Sequence, residues 1–317
     1  MTVFTPTYNR AYCLTRLFNS LVKQTYKDFE WVIVDDGSTD NTEDLVESFR
    51  KQRVDFPIVY KKTKNGGKHR AINSGMELVN GDMILLMDSD DWLREDALEL
   101  VIKIDDSIPE EDKCKYVGIQ GLCVHTDGKV VGKTFNGSYV DCTAIECRKY
   151  NIFGDKAEIY YTKVLKQYPF PEIDGEKFLT ERLVWNKIAK DGYLIRYFNE
   201  GIYFCEYLED GLSHSGNLLY AKNPKQWAMA IRQDYDLGIM NKYNTSIQIY
   251  IYYLYEKKTM TLHQMADNLQ ISIFVLYMSI ISQKIMDSLR YILHKKNTVS
   301  RTAKIDMEIS IKGEGEK

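Results

Sequence analysis

GDMILLMDSDDWL, residues Gly81–Leu93, is the stretch that decides the fold class. Asn80-Gly81 marks a turn, and Met83–Met87 then runs apolar on both faces, as a strand does when helices cover both sides of a parallel sheet. The run stops on Asp88-Ser89-Asp90-Asp91. Working outward, Thr2–Thr5, Phe29–Val34 and Ile58–Lys61 read as further strands, with helical patterns between them. Ala11, Leu14, Leu17, Phe18, Leu21 and Val22 recur at helical spacing. Asp40 and Glu43 are spaced as a capping box for a helix carrying Leu45, Val46 and Phe49. The Gly-rich turn Asn65–Gly67 leads to a helix around Ala71–Val79, and another helix is expected over Glu95–Ile104. Such alternation predicts an α/β fold with a mixed, mostly parallel Rossmann-like sheet flanked by helices. From Tyr116 to Tyr207 the strands become shorter and mixed, around one helix at Phe178–Lys190 and a strand at Tyr193–Tyr197. Helical composition sets in at about Ala221, so the expected division is an α/β domain over 1–216 and a helical C-terminal region over 217–317.

The 317 residues carry 42 Lys+Arg against 45 Asp+Glu, a formal net charge of −3, and 44% of them are hydrophobic. A chain of this size buries enough apolar surface to fold without disulfides or a structural metal. Its near-balanced charge argues against nucleic acid as the main partner. The six cysteines are scattered with no CxxC pair, which suits reduced thiols in the cytoplasm. Residues 1–10 lack the pattern of a secretory signal. The longest apolar stretch, Leu269–Ile281, falls short of the ~20 residues that a spanning helix requires. Ile285, Leu289, Ile292 and Leu293 share a helical face, and between residues 284 and 304 six basic residues meet only Asp287, a net of +5. Such a helix suits peripheral contact with an anionic membrane, at the inner face of the plasma membrane, or packing on protein.

Ligands of open α/β sheets bind beyond the carboxyl ends of the strands. Here those ends carry Pro6–Asn9, Asp35–Asp40 and Asp88–Asp91. Clustered acids raise one another's pKa unless a cation shares the site, and hard oxygen ligands suit Mg²⁺ or Mn²⁺. The alternative is that Asp88–Asp91 cap and start the helix that follows. Asp35-Asp36 fits a nucleobase or ribose acceptor, or a tight turn through Gly37. Asn65-Gly66-Gly67-Lys68-His69-Arg70 suits phosphate, or is a solvated basic loop; it is not a Walker A loop.

Taken in order, TPTYNR (Thr5–Arg10), WVIVDDGSTDNT (Trp31–Thr42), NGGKHRAINSGM (Asn65–Met76) and GDMILLMDSDDWL resemble the family 2 glycosyltransferases of GT-A fold. The resemblance implies an inverting transferase that uses a nucleotide-diphosphate sugar, with uridine as the base, and a divalent metal, Mg²⁺ or Mn²⁺. Position by position, it implies that Pro6 and Tyr8 flank the base and that Asp36 accepts from its imide. Lys68, Arg70 and Asn73 would lie along the nucleotide, with Asp88 and Asp90 as the DxD pair, Asp88 directed to the ribose or a metal-bound water, Asp90 as the direct metal ligand and Asp91 as a secondary candidate. The looser match at DGEKFLTERLVWNKIAKDGY (Asp174–Tyr193) places Glu181 where the family commonly has an Asp base, with Glu176 as the competing base. His214, in a late Gly-centred loop, is a third metal-ligand candidate. The implied acceptor is a hydroxyl of a saccharide or lipid-linked molecule in cell-surface polysaccharide synthesis. A non-catalytic nucleotide-sugar-binding subunit and a sugar-phosphate nucleotidyltransferase are the alternatives. The latter usually opens on a Gly-rich basic loop after the first strand, where this chain has Pro6-Thr7-Tyr8-Asn9.

Overall fold

The structure is a computed structural model that describes residues 1–206, 208, 211 and 216–293. The chain folds as two compact units, Met1–Glu172 with Val184–Leu208, and Ile173–Leu183 with Glu209–Lys317. Thus Ile173–Leu183, which the sequence assigns to the first domain, belongs to the second unit.

The described residues form nine strands, β1 (Thr2–Thr7), β2 (Glu30–Asp35), β3 (Ile58–Lys62), β4 (Met83–Leu86), β5 (Trp92–Leu93), β6 (Tyr116–Val124), β7 (Tyr139–Cys142), β8 (Lys156–Tyr161) and β9 (Leu194–Phe204). They make one sheet in the order β3-β2-β1-β4-β8-β6-β9-β5, with β7 also on β9. Pairings among β1–β4 are parallel, β8 runs against β4 and β6, and β6 and β9 are again parallel. Six strands therefore point one way.

Helices cover both faces of the parallel half, as its all-apolar strands require. Alternation along β1 and β2 puts Val3, Thr5 and Trp31 on one face and Phe4, Val32 and Val34 on the other. On the Trp31 face, α1 (Ala11–Val22) and α2 (Thr42–Arg50) meet through Phe18 and Phe49, stacked 4.2 Å apart. On the opposite face, α3 (Lys68–Gly75) brings Gly75 so close to Phe4 that an added Cβ would lie 2.5 Å from its ring. Pro6 is tolerated in β1 because the β4 pairing ends at Phe4. The unit also holds α4 (Ala97–Asp106) and the short α5 (Thr162–Leu165), and α6 (Arg182–Lys190) runs from the end of Ile173–Leu183 into it.

Two sequence expectations change. The capping box at Asp40 and Glu43 does not form: Asp40 accepts from Ala11 N, Thr42 N and Thr42 Oγ1, and Glu43 pairs with Lys62. Helix α6 begins at Arg182 rather than Phe178, because the preceding amides are drawn to side chains instead of to the helix. Lys177 N and Phe178 N both donate to Asn223 Oδ1 at 3.0 Å, and Thr180 N donates to Gln226 Oε1 at 3.2 Å.

In the second unit, α7 (Gly216–Ala221), α8 (Pro224–Asp236), α9 (Lys242–Glu256), α10 (Leu262–Leu269) and α11 (Ile273–Leu293) close over Trp227, Tyr252, Tyr255, Met265, Leu269, Leu276 and Ile280. Thr261 and Gln264 form a reciprocal capping box on α10, and Gln270, in the left-handed region at φ 53°, separates α10 from α11.

Candidate active site

Four loops leave the carboxyl ends of β1–β4 at one rim, and single polar side chains tie each loop to the next. Asn9, held at φ 52°, donates its amide to Ser38 Oγ at 2.8 Å, and its Oδ1 accepts from Thr39 N at 2.8 Å. This joins the β1 and β2 loops. Asp36 joins the β2 loop to the β3 loop: its carboxylate accepts from Gly66 N and Gly67 N, each at 2.7 Å, and from Asn65 Nδ2 at 3.1 Å. The approach is so close that a Cβ on Gly37, whose φ is +80°, would lie 2.7 Å from Asn65 N. Lys68 then reaches the β4 loop, with its Nζ 2.6 Å from Asp88 Oδ1.

These contacts sort the acidic residues. Asp35 is fully buried in the turn, accepting from Ser38 N and Tyr60 OH at 2.7 Å each. Asp36, expected as the nucleobase acceptor, has both oxygens engaged by the Gly66-Gly67 amides. Asn73, expected along the nucleotide, clamps Phe170 through both ends of its amide and donates to Glu172 at 2.9 Å. Arg70 contacts Gly66 O and Glu172. Pro6 is buried in β1, while Tyr8 is exposed at the rim.

Asp88, Asp90 and Asp91 differ from these. Burial, and then the neighbouring Asp88, push the Asp90 carboxyl above its ordinary pKa, with Arg10 and Lys68 opposing. Asp91 is pushed up to about 7 by burial and by both neighbouring acids. Asp91 does not cap a helix: it leads into β5, and α4 starts only at Ala97. Its Oδ1 accepts from Glu206 N at 3.1 Å, and Tyr203 OH, buried at the end of β9, accepts from Asp88 N at 3.0 Å. Arg16 of α1 lies over the Trp92 ring at 4.0 Å, donates to the Asp90 carbonyl and pairs with Glu206. Arg16, Tyr203 and Glu206 are the residues that the sequence reading missed. Arg16 stands at the border of an apolar helical stripe and the other two follow a strand whose register sequence does not fix, so no local pattern marks them.

The donor chemistry of this group fits a divalent cation. Two half-exposed or partly buried carboxylates at i and i+2, at least one with its charge disfavoured, gain from a cation, and Mg²⁺ is commonly held by one or two carboxylates with phosphate and water completing its shell. Among the described residues, no set of three or more His, Cys, Asp or Glu side chains encloses a metal by itself. His214 lies outside the described residues.

The two base candidates belong to the second unit. Glu176 is buried and caps α8, accepting from Lys225 N at 2.7 Å and Gln226 N at 2.9 Å. Glu181 is half-buried in the turn before α6.

The family model for Glycosyl transferase family 2 matches residues 2–110. Among curated proteins, the chain is 28% identical over 226 residues to the glycosyltransferase GlyA of Streptococcus pneumoniae serotype 4, covering 70% of this chain and 30% of that one. It spans 38% and 17% of the lengths of two further curated relatives. Among solved structures, residues 1-349 of Staphylococcus aureus TarS in complex with UDP-GlcNAc align with a TM-score of 0.61 at 21% identity, over 99% of this chain and 91% of that one. A mannosyltransferase from Pyrobaculum calidifontis, in complex with GDP-Man and Mn²⁺, aligns at 0.52 and 17% identity, over 93% and 87%. At these identities the structural likeness establishes the fold, GT-A, and nothing finer. Residues 2–110, about a third of the chain, are thus similar to glycosyl transferase family 2.

Proposed function

We propose that the chain is an inverting glycosyltransferase that moves a sugar from a nucleotide-diphosphate donor, a UDP-sugar, to a hydroxyl of a saccharide or lipid-linked acceptor in polysaccharide synthesis. The observation that carries the reading is the Asp88–Asp90 pair at the end of β4, with disfavoured charge on Asp90 and Lys68 alongside, inside the family-matched segment. A bound Mg²⁺ or Mn²⁺ would supply Lewis-acid neutralisation of the charge that grows on the departing diphosphate. Asp90, with Asp88, would hold that ion. Lys68 and Arg70 add positive charge along the phosphates, Pro6 and Tyr8 border the base, and Asp36 and Asn73 act by fixing the loops that carry these groups. Glu181 is assigned as the base through its place in the Asp174–Tyr193 match. It takes the acceptor hydroxyl proton as that oxygen bonds to the anomeric carbon, and the bond from that carbon to the diphosphate oxygen breaks on the opposite face.

Incubation with UDP-sugars, Mn²⁺ and candidate acceptors tests the reading. Release of UDP with an inverted glycoside supports it. Release of pyrophosphate points to a nucleotidyltransferase, and donor binding without turnover points to a binding subunit; either result overturns it. Glu181→Gln is expected to bind donor normally and lose turnover.

A further inference from the structure

The described residues contain no single helix long and apolar enough to cross a membrane, yet α11 is built the wrong way round for a helix that merely closes a soluble bundle. Its inward face holds Leu276 and Ile280, but also buried Ser279 and Gln283, the latter bonded to Ser246 Oγ at 2.7 Å. Its outward face carries Phe274, Met278, Ile281, Ile285 and Leu289, each between 46% and 69% exposed. At 100° per residue these five side chains fall within about 80° of one another, forming a continuous stripe roughly 22 Å long. Exposed Tyr277 and Lys284 border it.

Charge selects the occupant. Asp287, the only acid between residues 273 and 293, is turned inward and paired with Arg290 at 3.6 Å. The outward face therefore presents no acid, and residues 294–304 of the sequence add Lys295, Lys296, Arg301 and Lys304 with no acid, before Asp306 and Glu308. An acid-free apolar stripe with Lys284 at its border, its Nζ 5.7 Å from the Tyr253 ring, fits the headgroup boundary of an anionic bilayer, where the apolar side chains enter and cationic side chains meet lipid phosphate.

We propose that α11 is an in-plane anchor that seats the chain on an anionic lipid surface. The anchor is separate from the transfer chemistry, and its test reads partitioning alone. The full chain is floated with vesicles of phosphatidylcholine alone, and with about a third phosphatidylglycerol added. We expect flotation with the anionic vesicles only, reduced about fivefold by Lys284→Gln and more than tenfold by Ile281→Asp with Ile285→Asp. Both variants should keep the parent circular dichroism and melting temperature, since the altered side chains are exposed. No flotation with anionic vesicles, or undiminished flotation of the double variant, would overturn the proposal. Equal flotation with the neutral vesicles would overturn its anionic selectivity. Dissociation of a dimer by the double variant, without vesicle binding by the parent, would assign the stripe to a second copy instead.

Discussion

The acids after β4 and the acids of the β2 loop and the Ile173–Leu183 segment look alike in sequence and behave in opposite ways in the structure. Asp35, Asp36 and Glu176 have both carboxylate oxygens engaged, mostly by backbone N–H groups, so their charges are solvated by the fold itself. Asp90 and Asp91 sit where burial and neighbouring acids disfavour the charge. The first kind of site is scaffolding, in which removing a carboxylate loosens loops or a helix end. The second kind, on the function proposed above, is the one that awaits a ligand, so that removing a carboxylate should relieve repulsion and take away activity.

The sharpest break between the two kinds is expected at Asp90→Asn. Steady-state turnover should fall by at least about a hundredfold, while the melting temperature in EDTA holds or rises, because like-charge repulsion with Asp88 is gone. A variant that loses stability along with activity would place Asp90 among the scaffold acids.

Next in size is an effect that must be separated from the carboxylates in any acid titration. His69 is buried, and burial, helped by Arg70, pulls its pKa down to about 4. A histidine with a depressed folded-state pKa contributes stability that is complete above the ordinary value near 6.5 and is lost as pH falls toward 4. The loss should approach about 3 kcal/mol at pH 4. Urea unfolding of the parent and of His69→Gln across this range should differ by this loss, the carboxylate contribution being common to both.

Asp36→Asn comes third. Turning an NH₂ toward the Gly66 or Gly67 amide should cost about 2 kcal/mol in urea unfolding. Donor KM should rise with kcat nearly retained, because the loop carrying Lys68 is loosened while the carboxylates remain. Glu176→Gln should have the smallest effect, about 1 kcal/mol from a weakened α8 start, with kcat within about twofold. A collapse of kcat in Glu176→Gln at full stability would make it the base and erase the contrast.

Much of this arrangement is legible in the sequence, because the parallel strands are apolar on both faces and their polar ends are short. The strand order beyond β4 is not legible: β5 pairs with β9 across more than a hundred residues, and only that pairing brings Tyr203 and Glu206 to Asp88 and Asp91. Nor can sequence tell a satisfied acid from a poised one. Glu176 stands in the sequence as a competing base, with nothing to mark that the α8 N-terminus draws in its carboxylate. Nor does sequence show that Asp36 also holds the two glycine amides of the β3 loop.

The central claim, that the acids after β4 are the poised ones, is tested most directly by calorimetric titration of UDP into the parent and Asp90→Asn, with Mn²⁺ and with EDTA. The account predicts that Mn²⁺ tightens UDP binding at least about tenfold in the parent, a coupling of ~1.4 kcal/mol, and leaves Asp90→Asn unchanged. An equal Mn²⁺ effect in both proteins would contradict it.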